Sequence, residues 1–180
     1  METFTAMKAL VDNPHYDRQR KESLDALDVS FIDKPMVEII QGFAGLSCCF
    51  TLQSCYGHFV FEGQTDRHSI KPLPDRSDIG IVEYRIAYLA LCIENSDWGK
   101  ELLADLGKIQ TIDPDYVQLG CADWFWDQQV NSYALQVEPR DQMYQDVAHV
   151  DYPQALHIEK IRNQFIEELK RLPDRRRQRD

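Results

Sequence analysis

The sequence predicts a single α+β domain, with a mixed or mainly antiparallel sheet packed against about four helices. Two observations carry this expectation. Apolar runs rich in β-branched and aromatic residues follow one another closely enough for direct strand-to-strand turns, and the helical patterns among them lack the regular strand-helix-strand alternation of a parallel sheet. The chain has 180 residues, 43% of them hydrophobic and 11% aromatic, which is enough to close one substantial core and little for two.

Asn13-Pro14 reads as a cap followed by a first-turn proline, predicting a polar helix over residues 14 to about 27 with Tyr16, Leu24 and Leu27 as its apolar contacts. Asp33 can cap a second helix, in which Met36, Val37, Ile40 and Phe43 recur at helical spacing and Gly42 and Gly45 bracket the stop. Strands are expected over 47–53 and 58–62, joined by a compact Ser54-Cys55-Tyr56-Gly57-His58 turn that reads as the tip of a hairpin. The segment 63–80, with Pro72 and Pro74, is a long loop and a candidate lid beside that turn.

Residues 81–93 read as one long strand. Asn95 or Ser96 then caps a third helix that points Leu102, Leu103 and Leu106 inward and ends at Gly107. Two more strands are expected, over 116–121 and 132–137. Between them, Trp124-Phe125-Trp126 should pack alternate side chains inward and leave one exposed. The last helix, 152–172, carries the apolar stripe Ile158, Ile161, Phe165, Leu169 and Leu172, with Asp151 in front to cap it and Pro173 behind to stop it. Residues 1–172 are therefore read as the domain and 173–180 as a basic, disordered tail.

The net charge of −10 is unevenly spread. Six basic residues against two acidic ones give residues 170–180 a charge of +4 and leave the body at −14. Because nucleic-acid affinity rests on phosphate neutralisation, an acidic body disfavours generic nucleic-acid binding, tRNA included, outside the tail. No apolar run is long enough to span a bilayer, and the amino terminus lacks the charged-then-apolar order of a signal peptide. No membrane partner is expected, and the expected location is cytoplasmic. The five cysteines lack paired zinc spacing and are expected to be free and mostly buried. His15, His68, His149 and His157 share no ligand spacing, so no structural metal is expected either. Neither a dinucleotide fingerprint nor a P-loop is present.

The turn is the candidate site. Gly57 frees the backbone for a tight turn, the exposed N–H groups of such a turn can hold an anion or a polar ligand edge, and Cys55 and His58 are a conceivable nucleophile and base. No third residue that would orient them is identifiable from spacing.

Here the chain resembles a family. The order Arg20-Lys21-Glu22, Leu24-Asp25-Ala26-Leu27-Asp28, Asp33-Lys34-Pro35, Ile39-Ile40 and then Thr51-Leu52-Gln53-Ser54-Cys55-Tyr56-Gly57-His58 resembles the third-step methyltransferases of wybutosine synthesis on tRNA. That family carries a lysine-bearing helix, an aspartate-led second helix and a Ser-Ser-Cys-Ser-Gly-Arg turn. The similarity spans residues 18–172 and is specific over about 20–61. It implies S-adenosylmethionine as cofactor and a modified guanosine beside the anticodon of phenylalanine tRNA as methyl acceptor. Carried over by position, Asp33, Ser54, Cys55 and His58 would line the catalytic pocket, and Ser54, Gly57 and Gly120 would hold the cofactor.

The departures are informative. Gln53 and Tyr56 stand where the family has serines, Leu119 replaces the serine before the later glycine, and His58 replaces the arginine. An imidazole in place of a five-donor guanidinium is not conservative where a phosphate or carboxylate is bound. The resemblance therefore points to a relative acting on RNA or on a small molecule. The alternative expectation is a non-catalytic metabolite- or protein-binding domain presenting Tyr56, Trp124, Phe125 and Trp126 as an aromatic surface.

Overall fold

A computed structural model of the chain describes residues 4–64, 66–76, 78–142 and 145–178. Among the described residues, five α-helices pack with two separate sheets, one of five strands and one of three, and all strand pairs are antiparallel. The predicted α+β class, with a mainly antiparallel sheet, is what the chain adopts.

A short strand β1 (Phe4–Thr5) leads to helix α1 (Tyr16–Asp25), which is shorter than expected at both ends. Only Tyr16 of α1 is buried, and its hydroxyl donates to the Ser47 carbonyl at 2.9 Å. Arg20 fastens the same helix by donating to the carbonyls of Ala44, Leu46 and Cys49. Helix α2 (Lys34–Ala44) buries Met36, Ile39, Ile40 and Phe43, one apolar face against the sheet.

Strand β2 (Cys49–Cys55) joins the five-stranded sheet and strand β3 (His58–Phe61) the three-stranded one. The expected hairpin is therefore corrected: β2 pairs with β5 (Ala87–Ile93) and β3 with β4 (Ile81–Arg85), so the turn between them is a crossing from one sheet to the other. The expected single strand over 81–93 is corrected in the same way. It breaks at Ile86, whose N–H donates to the Asp146 carbonyl rather than to a ladder partner. The apolar pattern runs through Ile86 because Val82 and Tyr84 of β4 and residues 89–93 of β5 are each buried in their own sheet.

Ser96 caps α3 (Asp97–Ile109) by accepting from the Gly99 N–H at 3.2 Å. Strand β6 (Val117–Ala122), the six-residue helix α4 (Asp123–Gln128) and strand β7 (Ser132–Val137) follow, and the larger sheet has the order β1-β6-β7-β5-β2. A strand the sequence reading did not contain, β8 (Val147–Asp151), pairs with β4 and completes the smaller sheet. Helix α5 (Tyr152–Arg177) starts as expected, with Asp151 accepting from the Gln154 N–H at 2.8 Å.

Helix α5 does not stop at Pro173, which corrects the expected boundary between domain and disordered tail. The proline ring packs where Gly42 leaves room: a Cβ on that glycine would come within 3.1 Å of it. One turn later Arg176, only 2% exposed, donates to Asp105 at 2.8 Å and to the Trp98 carbonyl at 3.1 Å. These contacts hold the last turns of α5 on α3. Arg179 and Asp180 lie outside the described residues. No described helix is long and apolar enough to cross a membrane.

Candidate functional site

The two sheets part company where the chain crosses between them, at Tyr56-Gly57 and at Ile86, and the crossings lie side by side. Gly57 has φ +90°, a conformation that costs a side chain dearly, and a Cβ there would come within 2.8 Å of the Ala87 Cβ. Beside these crossings lies a cavity of about 690 Å3, lined by Gln53, Ser54, Cys55 and His58 from one crossing and by Arg85, Ile86 and Tyr88 from the other. Phe31, Asp33, His68, Trp124, Phe125, Gln136 and Glu138 also line it. A second cavity, of about 780 Å3 between α3 and α5, is lined by Lys108, Glu168, Arg171 and Arg175 among others. Its volume is larger, and these charges are paired with one another or with neighbouring acids.

Asp33 reaches this cavity by giving up its expected role. It stands immediately before α2, yet its side chain makes no capping bond to that helix. Its Oδ2 instead accepts from the Tyr56 N–H at 2.9 Å and faces His58 Nε2 at 3.2 Å. Burial pushes the Asp33 carboxyl up, but the His58 ring and the Tyr56 N–H outweigh it and hold the acid below its ordinary range. His58, 3% exposed, has its pKa raised to about 10 by Asp33 first and Cys55 second, against the opposing effect of burial. Its Nδ1 faces the Ser69 carbonyl at 3.3 Å, so the long loop that was expected as a lid contributes a fixed contact to the site. That loop is anchored at Leu73, whose N–H donates to Glu159 at 2.9 Å, and at Pro74, whose carbonyl accepts from the Tyr152 hydroxyl. Thr65 and Ser77 of the loop lie outside the described residues.

The residues singled out in the sequence divide into two groups. Asp33, Ser54, Cys55 and His58 meet at the cavity. Gly57 and Gly120 do not line it and act behind it. The Gly57 carbonyl accepts from Arg162 at 2.9 Å, while Gly120 clears a path for β1, since a Cβ there would come within 2.3 Å of the Thr5 carbonyl oxygen. The aromatic run departs from the expected alternation: it lies in helix α4, where no side chain is fully buried, Trp124 is exposed and the adjacent Phe125 and Trp126 are half-buried. Trp124 is 54% exposed and Trp126 packs edge-on against Tyr133. Of the five free cysteines, four are buried and Cys55 is half-buried.

Two contributors were missed. Arg162 of α5, 2% exposed, lies under the turn with its guanidinium 4.3 Å from the Tyr56 ring and 4.9 Å from the Phe59 ring. The only signal for it was an arginine next to Ile161 in an otherwise apolar helix face. Glu138 is fully buried at the end of β7. Its Oε2 accepts from Gln136 at 2.9 Å, and its Oε1 finds no partner among the described residues. Burial, with the nearby Asp146 and Asp141, raises its pKa to about 9. Following an apolar strand and preceding Pro139, it reads in sequence as an ordinary strand-end acid.

No protein-family model and no curated protein matches this chain. Among solved structures, two of the PH1069 protein from Pyrococcus horikoshii share this fold, each at a TM-score of 0.50. One is 13% identical and covers 89% of this chain, the other 14% identical and 90%, and each match spans 93% of the archaeal chain. A hypothetical protein from Aeropyrum pernix aligns at a TM-score of 0.40 and 12% identity, over 81% of this chain and 96% of its own. For the two PH1069 structures, at 13% and 14% identity, the likeness is one of fold.

Proposed function

We propose that the protein is a divergent S-adenosylmethionine-dependent methyltransferase-like enzyme whose active site is the cavity over Asp33, Ser54, Cys55 and His58. The observation that carries this reading is the bond from the Tyr56 N–H to Asp33. It joins at one cavity the two segments, the aspartate before α2 and the Ser-Cys-Tyr-Gly-His turn, on which the sequence resemblance rests. The cavity volume falls within the range of small-molecule sites.

The residues present fit such a cofactor. Phe31, Trp124 and Phe125 are rings in the lining that an adenine can meet, and Glu138, whose Oε1 has no partner among the described residues, can give up its proton to face an ammonium or sulfonium group. When bound, the cofactor provides an electrophilic methyl group. The chain's own part is to align and desolvate. His58, kept protonated by Asp33 at neutral pH, is a fixed positive charge rather than a base, while Gln53 and Ser54 offer hydrogen-bonding groups to the acceptor.

The paired state of α5's outer charges supports a small acceptor over tRNA. Arg171 and Arg175 are bonded to Glu168 and Arg177 to Asp174, so neighbouring acids offset the positive field these exposed arginines would offer a phosphate backbone. Calorimetry with S-adenosylmethionine tests the proposal. Binding below millimolar is expected for the wild type, weakened about tenfold or more in Asp33→Asn and in Glu138→Gln. Absence of heat at millimolar cofactor removes the reading.

Binding without transfer is the second reading. It is favoured by the protonated states of His58 and Glu138, which leave neither as a ready base at neutral pH. Conversion of bound S-adenosylmethionine to S-adenosylhomocysteine in a small-molecule extract decides between the two.

A further inference from the structure

Three metal-ligating side chains converge on the cavity from three points of the chain. Asp33 precedes α2, Cys55 ends β2 and His58 opens β3. One carboxylate oxygen, the sulfur and one ring nitrogen all lie within 4.8 Å of one another. The imidazole is held in one orientation, with Nδ1 3.3 Å from the Ser69 carbonyl and Nε2 3.2 Å from Asp33 Oδ2.

A carbonyl can only accept, so Nδ1 carries a proton, and in the neutral ring Nε2 is bare. Two lone pairs then face each other at 3.2 Å, and a cation must join them. A proton on Nε2 is one such cation and a metal ion is the other. The sulfur distinguishes them. Beyond the pair it supplies a third donor, and thiolate, imidazole and carboxylate together are a donor set suited to zinc. A nitrogen and an oxygen each about 2.0–2.1 Å from a tetrahedral zinc ion stand about 3.3–3.4 Å apart, close to the separation already present. The carbonyl behind Nδ1 is the outer support that metal-binding histidines use.

We propose that Asp33, Cys55 and His58 bind one Zn2+ ion, with a fourth position open to the cavity. The spacings that predict no metal do not register this set, because they compare cysteines and histidines separately and leave His58 out, whereas the set takes one cysteine, one histidine and a distant aspartate. On binding, the Cys55 thiol proton and the proton on His58 Nε2 pass to solvent, so acid weakens the site. This site shares residues with the cofactor reading but rests on a different observation, and with zinc bound the ion takes over the positive charge assigned there to His58. Zinc uptake without heat from S-adenosylmethionine would remove the cofactor and leave the metal, and the reverse result would do the opposite.

The test uses the full chain, stripped with chelator and titrated with Zn2+ by calorimetry and with Co2+ by absorption. One ion per chain is expected, and the Co2+ adduct should show a near-ultraviolet thiolate charge-transfer band. Cys55→Ser should lose that band and bind Zn2+ about 100-fold more weakly or worse, since losing an outer support alone costs about 10–100-fold. Cys121→Ser should keep both. A wild type without the band, a Cys55→Ser variant that retains it, or equal zinc uptake by the two would overturn the proposal and leave an imidazolium-carboxylate pair. If Cys55→Ser does not fold, X-ray absorption of the zinc-loaded wild type decides. One sulfur at about 2.3 Å is expected, and a shell of nitrogen and oxygen alone overturns the site.

Discussion

Asp33 and Glu138 line the same cavity, yet Asp33 is held ionised below its ordinary range while the pKa of Glu138 is pushed up to about 9. Both are desolvated, Glu138 completely and Asp33 with 24% of its side chain exposed, so burial accounts for part of the difference. Partners account for the rest: Asp33 has the Tyr56 N–H and the His58 ring, whereas Glu138 has one amide on Oε2 and nothing described on Oε1, with Asp146 and Asp141 nearby. One end of the cavity is therefore finished by the protein itself. The other is left for a ligand to finish, and a donor or cation placed at Oε1 would draw off the proton that Glu138 holds.

The largest effect expected from this contrast is in the pH dependence of stability. The folded protein keeps the Glu138 proton up to about pH 9, while the unfolded chain releases it near 4.5. With the folded value above the unfolded one, this group's contribution is whole below the lower value and is lost as pH rises towards the upper. The loss is at most about 1.4 kcal/mol per pH unit. Glu138→Gln should abolish that slope and exceed the wild type by up to about 4 kcal/mol at pH 8, relative to their difference at pH 5, in urea unfolding. Parallel profiles for the two proteins would break the contrast.

At the finished end, Arg162→Met should cost about 3 kcal/mol, because it strips the Gly57 carbonyl and Glu159 of a buried cation that also underlies Tyr56. Asp33→Asn should cost about 2 kcal/mol at neutral pH. It should also bring the His58 ring down from about 10 towards the ordinary histidine range, read from its ring protons by NMR. A ring that still titrates near its wild-type value in Asp33→Asn would mean that Cys55, and not the aspartate, sets its charge.

The same contrast separates what was legible in the sequence from what was not. The finished end could be read because its parts are local. Asp33 stands before a strongly amphipathic helix, Gly57 lies between two apolar runs, and helix and strand are short enough in sequence to return to each other. Even so, Asp33 was read as a cap, and the missing capping bond shows a local rule given up in favour of the site. The Glu138 end could not be read, because its environment is made by distant segments. The break at Ile86 shares the apolar pattern of the strands around it, and the turn at Gly57 reads the same whether it closes a hairpin or crosses between sheets, so neither local alternation nor propensity reveals that the chain changes sheet there. Strand β8 carries Asp146, His149 and Asp151 in or beside it and pairs only on β4, so its polarity hid it. Pro173 sits inside a helix because Gly42 and Arg176's partners make room and hold on, which no helix-stop rule contains.

The smallest expected effect on stability is also the one that tells which part of a ligand each end receives. Phe31 is 90% exposed although it lines the cavity two residues before Asp33, so its ring has no structural task that burial would reward. Phe31→Ala should leave unfolding within about 0.5 kcal/mol of the wild type. If an adenine stacks on that ring, the same change should weaken S-adenosylmethionine about tenfold, the cost of about 1–2 kcal/mol of stacking. Trp124, packed edge-on against Phe125 at 4.9 Å, offers the competing platform. Loss of affinity in Trp124→Ala with none in Phe31→Ala would put the base on α4. The methyl donor's charged end would then have to reach either Glu138 or the Asp33-His58 pair from there. Combining Trp124→Ala with Glu138→Gln distinguishes these, since energies that add identify separate contacts and energies that do not identify a shared one.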